Sequence, residues 1–493
     1  MRSELNLFLC VLCLLVLAGC REPRHEGLRF GLAAMPVTLD PRYATDAASS
    51  RINRLIYGRL VDFDDSLTPV PALASWRRLS PLHYRFTIKK NAVFSSGARL
   101  TMDDVRATYA AILDPKQASP HRMSLNNIRL MEVIDDRVMD FVLEKPDLLF
   151  PGRLSIGILP ATLISDGHPF NTRPVGSGAF EFVDWPDEGH LFLKRRHDGL
   201  RLGFIAVKDP TVRVLKLVRG EIDMLQNDLP PELIDYLAVQ PGIHVRRAPG
   251  SKFAYLGFNL DNPVSANPAL RQAIAIGIDR EAIIRHVLGG AARPATSLLP
   301  PDHWAGNPKL SPPQYDPDQA RQILSSAGLT GAHRPALVYK TSNDPFRLRI
   351  ATILQQQLAG IGVDVTLRSY DWGTFYGDIK AGRFQMYSLM WVGIKLPDIF
   401  RYVFHSAAIP PDGANRGRYR SAEVDGLIER AEGADTRSAA VKAYRALQVR
   451  IMMDRPYVPL WYEDNVFVRR DTVMGYRIAM DGNFDGLKQV TRP

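Results

Sequence analysis

The side chain in this sequence with the most definite chemistry is a thiol. Cys20 closes the run Leu17-Ala18-Gly19-Cys20, which ends an apolar, charge-free stretch from Leu7 to Leu17. Small residues before a cysteine at the end of such a leader read as a lipoprotein signal: the chain is cut ahead of Cys20, and its sulfur takes the lipid. A leader this short does not read as a spanning helix, so residues 1–19 are set aside from the fold as a signal peptide. An acyl group on Cys20 would hold the mature chain at a membrane through buried methylenes. That makes it an exported protein of the periplasm or cell envelope. An ordinary secretory leader cleaved nearby, or an uncleaved helix, is the alternative.

Few other chemistries are open. The three cysteines, Cys10, Cys13 and Cys20, all lie in the leader or at its end. The mature chain therefore has no disulfide, no zinc–thiolate site and no cysteine nucleophile. Gly176-Ser177-Gly178 lacks the spacing of a nucleophile elbow. There is no His-Glu-x-x-His run and no phosphate-binding glycine loop, and the eleven histidines are scattered without ligand spacing. Neither an enzyme nor a cofactor or metal is expected. The formal net charge is +10, but the basic residues come in ones and twos (Arg77-Arg78, Lys89-Lys90, Arg195-Arg196, Arg246-Arg247, Arg469-Arg470). With no basic stripe and no nucleic-acid motif, the charge reads as a solvated surface, with membrane proximity or an anionic ligand as alternatives.

At 493 residues the chain is too long for one core and should divide into two or three domains. Residues 28–34 alternate as a first strand, and Ile52, Leu55, Ile56 and Leu60 share one face of a helix over 47–60. Tyr84 to Ile88 and residues 138–143 read as strands, with Asp103-Asp104 starting a helix between them. A strand-rich stretch runs from 174 to 260, ending in the buried strand Tyr255 to Leu260. From 266 the pattern becomes α/β. Helices are expected at 268–278, 316–327, 346–359, 372–381, 421–432 and 437–453, and strands at 362–367, 384–390 and 458–461. Residues 466–490 show no helical period and read as final strands.

Several phrases, in order along the chain, resemble the peptide/nickel branch (family 5) of the solute-binding proteins of ABC transporters. They include Pro71-Ala72-Leu73-Ala74-Ser75-Trp76, Phe94-Ser95-Ser96-Gly97, Leu100-Thr101-Met102-Asp103-Asp104-Val105 and Pro174-Val175-Gly176-Ser177-Gly178. Others are Gly257-Phe258-Asn259-Leu260, Leu270-Arg271-Gln272-Ala273-Ile274-Ala275, Ile278-Asp279-Arg280 and Ile361-Gly362-Val363. Most of these residues are scaffold. The resemblance implies an α/β, two-lobed periplasmic-binding-protein-like fold with an extra inserted domain and a hinge of two crossing strands. It implies a discontinuous domain I (20–56, 172–260 and 466–493), an inserted domain II (57–171) and a domain III (261–465), with hinges near Leu260 and Val466. The implied function is lipid-anchored capture of a peptide or peptide-like solute between the lobes and its presentation to a membrane permease and its ATPase, the chain acting as a monomer. The alternative is a receptor of the same fold for an anionic, apolar or metal-chelate ligand, without transport.

In the peptide-binding relatives a tryptophan-led loop carries an aspartate that grips the peptide's amino group. Here that loop reads Met390-Trp391-Val392-Gly393-Ile394-Lys395-Leu396-Pro397-Asp398. Trp391 and Gly393 match, but the aspartate position holds Ile394, and Lys395 follows. An isoleucine cannot neutralise a buried ammonium, and an unpaired buried charge is costly. Blocked or cyclic peptides and anionic or apolar solutes gain ground accordingly, with Asp398 as the alternative acid for an amine. The arginine that receives a dipeptide carboxylate in some relatives falls near Thr341, with Arg347 a few residues on. Met35 and Thr38 in the first loop, Tyr370, Trp372 and Trp391 complete the expected lining, the aromatic faces suiting variable side chains.

Overall fold

The computed structural model describes residues 27–492. It is mixed α/β and is organised on an eleven-stranded sheet. At one end Asp364–Tyr370, Ala336–Ser342 and Met386–Trp391 run parallel. At the other, Phe180–Asp187, His190–Arg195 and Arg201–Ala206 form an antiparallel meander that continues through Leu28–Leu32 and Met224–Gln226. Two long strands, Ile243–Phe258 and Tyr457–Arg470, join the halves. They pair antiparallel from Ile243 opposite Arg470 to Gly257 opposite Tyr457, with the register broken between Ala248 and Lys252. Gly250 sits in this break because a Cβ there would lie 2.1 Å from the Glu463 carbonyl oxygen; only glycine permits such an approach.

Each half has its own core. One contains Phe30, Phe204 and Phe484, with Phe30 and Phe484 centroids 4.7 Å apart. The other is built on both faces of its strands by helices that include Pro268–Ile276, Pro345–Gly360 and Arg437–Asp454. A separate four-stranded antiparallel sheet, Ala74–Ser80, His83–Ile88, Val138–Leu143 and Ile128–Asp135, carries the helix Met102–Leu113 over Phe86, Phe141 and Phe150. That helix starts where expected: the Thr101 N–H donates to Asp104 Oδ2 at 2.8 Å, closing its first turn.

The expected helices of the second half are present at Pro317–Ser326, Trp372–Ala381 and Ala422–Glu432 as well. The long strands differ from expectation. Pro249-Gly250 punctuates like a turn, yet it lies inside a sixteen-residue strand at the register break. The strand expected at 458–461 runs on to Arg470, after which residues to 492 are loops and the short turn Asp485–Lys488. Leu260, expected at a hinge, lies beyond the strand end. Its N–H donates to Gly417 O at 2.8 Å, and its side chain packs on both clusters of that half. Val466 pairs with Arg247, beside the break. Cys20 and the leader lie outside the described residues.

Candidate functional site

Three parts of the chain meet at a cleft of about 520 Å³. One wall is the helix Ala47–Ile56 with Asp481 and Asn483, the second is His121 and Gly152–Gly157, and the third is the loop from Val392 to Asp398. The helix is set by its cap and its stripe. Asp46 Oδ1 accepts from the Ser49 N–H at 2.8 Å, and Ile52, Leu55 and Ile56 are buried in the core. Arg51 and Arg54 therefore face the cleft.

Ion pairs knit the walls together. Arg54 binds Asp62 (2.9 Å) and Asp485, and Arg59 also binds Asp62 (2.7 Å). Burial alone would raise the Asp62 pKa, but Arg59 and Arg54 hold it well below the usual carboxylate range. Asp485 is likewise pulled down, to about 2, by Arg54 and Lys488 against its burial. Lys395 Nζ lies 3.2 Å from Asp481 across the cleft. Burial and Arg54 push its pKa down, and Asp481 opposes them. Arg153 is shared at 2.6 Å between Asp147 and Asp398.

Other polar atoms of the cleft lining have no partner. Asp46 Oδ2, both amide atoms of Asn53 and Arg59 Nε are buried without a hydrogen bond among the described residues. Asn53 is only 5 % exposed. Arg51 lies over the Phe484 ring at 5.4 Å and forms no ion pair among the described residues. An unsatisfied buried polar group costs about 1–3 kcal/mol.

The loop itself is anchored from behind. His303, 2 % exposed, donates from Nε2 to the Lys395 carbonyl at 3.0 Å and accepts the Ala305 N–H at Nδ1. Burial pushes its pKa down to about 4, with Arg437 adding and the Lys395 bond opposing, so the ring is neutral. Gly393 takes φ 74°, a turn that glycine adopts without strain. Trp391, Gly393, Ile394, Lys395 and Asp398 line an adjoining chamber of about 290 Å³, with Phe63 opposite.

The structure brings those five expected residues together and places the others elsewhere. Ile394 is 7 % exposed and packs in the aromatic core of its half. Asp398 is already committed to Arg153, which weakens it as the alternative acid for an amine. Arg347 is paired with Glu463 at 3.2 Å. Tyr370 packs against its core under Lys340, and Trp372, 58 % exposed, stacks on Tyr376. Met390 and Met35 pack against the cores of their respective halves. Thr38 Oγ1 accepts the Asp40 N–H at 3.1 Å. None of these six residues lines the two chambers. Sequence reading missed Asp46, Arg51, Asn53, Arg59, Arg153 and Asp481. The polar face of the helix Ala47–Ile56 was the one available signal, and it looks like any solvated face.

A family profile described as bacterial extracellular solute-binding proteins, family 5 Middle, matches residues 68–408. The chain belongs to this family. It is 27% identical to heme-binding protein A of Haemophilus influenzae over 489 residues, covering 90% of this chain and 88% of that one. It is also 27% identical to probable di/tripeptide-binding protein 5 of Pseudomonas aeruginosa, covering 87% and 89%. The fold superposes on NikZ from Campylobacter jejuni, solved with Ni(L-His), with a TM-score of 0.80 at 24% identity over 96% of this chain and 100% of that one. The two halves joined by crossing strands are thus the two lobes of a family 5 binding protein. Among the described residues no cluster of His, Cys, Asp or Glu side chains could hold a metal ion, and no helix is long and apolar enough to cross a membrane.

Proposed function

We propose that this chain is the substrate-binding component of an ABC importer, tethered through lipid on Cys20, which captures a peptide or peptide-like solute and presents it to a permease. The observation that carries this reading is the set of unpartnered atoms in the cleft. The Asn53 amide has a donor nitrogen and an acceptor oxygen, groups that match the C=O and N–H of a peptide unit. Asp46 Oδ2 offers a further acceptor and Arg59 Nε a further donor. Relatives named for di/tripeptides support the peptide class. The register break at Ala248–Lys252, beside Val466, is where we place the hinge. Closing energy comes from contacts the guest makes only when both lobes touch it.

The test is native mass spectrometry of the purified protein for a retained guest, with thermal shifts against a panel of free and N-acetylated peptides. A peptide at a hundred times its Kd should add about 2.7 kcal/mol of stability. Asn53→Leu should abolish the shift, because it removes both the donor and the acceptor. A panel without effect, or shifts untouched by Asn53→Leu, refutes the peptide reading.

A further inference from the structure

Beside the loop lies a cation without a counter-ion. Arg416 is 7 % exposed. Its guanidinium donates to Tyr255 Oη at 3.2 Å and Tyr376 Oη at 3.1 Å, and it forms no ion pair with a carboxylate among the described residues. It lies between two aromatic faces, 4.8 Å from Trp391 and 5.3 Å from Tyr376. Stacking of this kind offsets only part of what burying an unpaired ion costs. The acids of the neighbouring loop do not repair this. Asp398 is held by Arg153, and Ile394 brings no charge. A second donor is near: Trp391 Nε1 is buried with no acceptor among the described residues, and Trp391 is one of the residues lining the 290 Å³ chamber.

We propose that Arg416 and the Trp391 indole N–H form a receiving site for an oxyanion of the solute, such as a carboxylate or phosphate. The inference rests on the cleft reading above and names its substrate class: a peptide-like solute with an acidic group. Beside the Trp391 loop, where Ile394 supplies no acid for an amine, this chain places a guanidinium with no ion-pair partner among the described residues. A planar fork suits an oxyanion, since its N–H groups can pair with two oxygens at once. Tyr255 and Tyr376 hold the fork by accepting from it, without neutralising it.

The test uses the purified full chain and three probes: N-acetyl-Ala-Glu amide, N-acetyl-Ala-Gln amide and inorganic phosphate. Calorimetry and thermal shift are read for wild type, Arg416→Met and Arg416→Lys. The acidic peptide should bind wild type at least tenfold tighter than its neutral isostere. Arg416→Met should erase that preference while leaving the neutral peptide within about threefold, and Arg416→Lys should keep part of it. Without any probe, Arg416→Met should melt at or above the wild-type temperature, because an uncompensated buried charge has been removed. Equal affinity for the two peptides, or a preference that survives Arg416→Met, overturns the site. A lowered melting temperature with the preference intact assigns Arg416 to packing alone and also overturns it. If neither peptide binds, yet phosphate stabilises wild type and not Arg416→Met, the oxyanion site stands and the peptide reading of the cleft falls.

Discussion

Acid should loosen the loop after Trp391 through one buried histidine. Neutral His303 uses both ring nitrogens, donating to the Lys395 carbonyl and accepting from the Ala305 N–H. Protonation would turn Nδ1 into a donor facing a donor and bury a charge near Arg437. Its folded pKa is depressed from 6.5 to about 4. A depressed pKa means the unfolded chain takes up the proton first. The contribution is therefore complete above about pH 6.5 and is lost as the pH falls towards 4. The whole span is worth about 3 kcal/mol at about 1.4 kcal/mol per unit, and about 2 kcal/mol of it is gone by pH 5. The assay is urea unfolding of wild type and His303→Asn at pH 7.5 and pH 5. The asparagine can still accept the Ala305 N–H but does not titrate. The stability advantage of wild type should shrink by about 2 kcal/mol between the two pH values, and histidine NMR should show one ring resisting protonation until about pH 4. A difference between the proteins that ignores pH, or a measured His303 pKa of 6 to 7, refutes the reasoning.

Two further outcomes follow from the geometry. If the Lys395–Asp481 pair across the cleft holds the lobes shut, Asp481→Asn should cost the closed state about 1–2 kcal/mol. The unliganded protein should show a larger radius of gyration by solution scattering and bind its solute about tenfold more weakly; unchanged scattering and affinity would contradict a cross-lobe latch. Gly250→Val forces a Cβ against the Glu463 carbonyl oxygen and should destabilise the crossing strands by about 2 kcal/mol or more. A wild-type melting temperature for that variant would show that the register break tolerates side chains.

Periodicity and capping made much of the fold legible. Apolar spacing marked the helices of the second half, and the order of short phrases pointed to the family. These signals are local: each depends on residues within a turn or two of one another. The loop from Trp391 to Asp398 was also legible, following the strand Met386–Trp391. The long strands were not, since Pro249-Gly250 carries turn chemistry and only pairing with Tyr457–Arg470 overrides it. The electrostatics of the cleft were hidden for the same reason. Arg54 meets Asp485, Arg153 meets Asp398, and Lys395 meets Asp481 only after folding. Whether a charge is paired, as on Arg153, or has no ion pair among the described residues, as on Arg416 and Arg51, depends on partners that chain order does not name. The sequence by itself determined the element pattern, the family and the character of the loop. Which polar atoms lack a partner among the described residues is settled only by the tertiary fold, because satisfaction of a buried group is a property of its surroundings and not of its residue type.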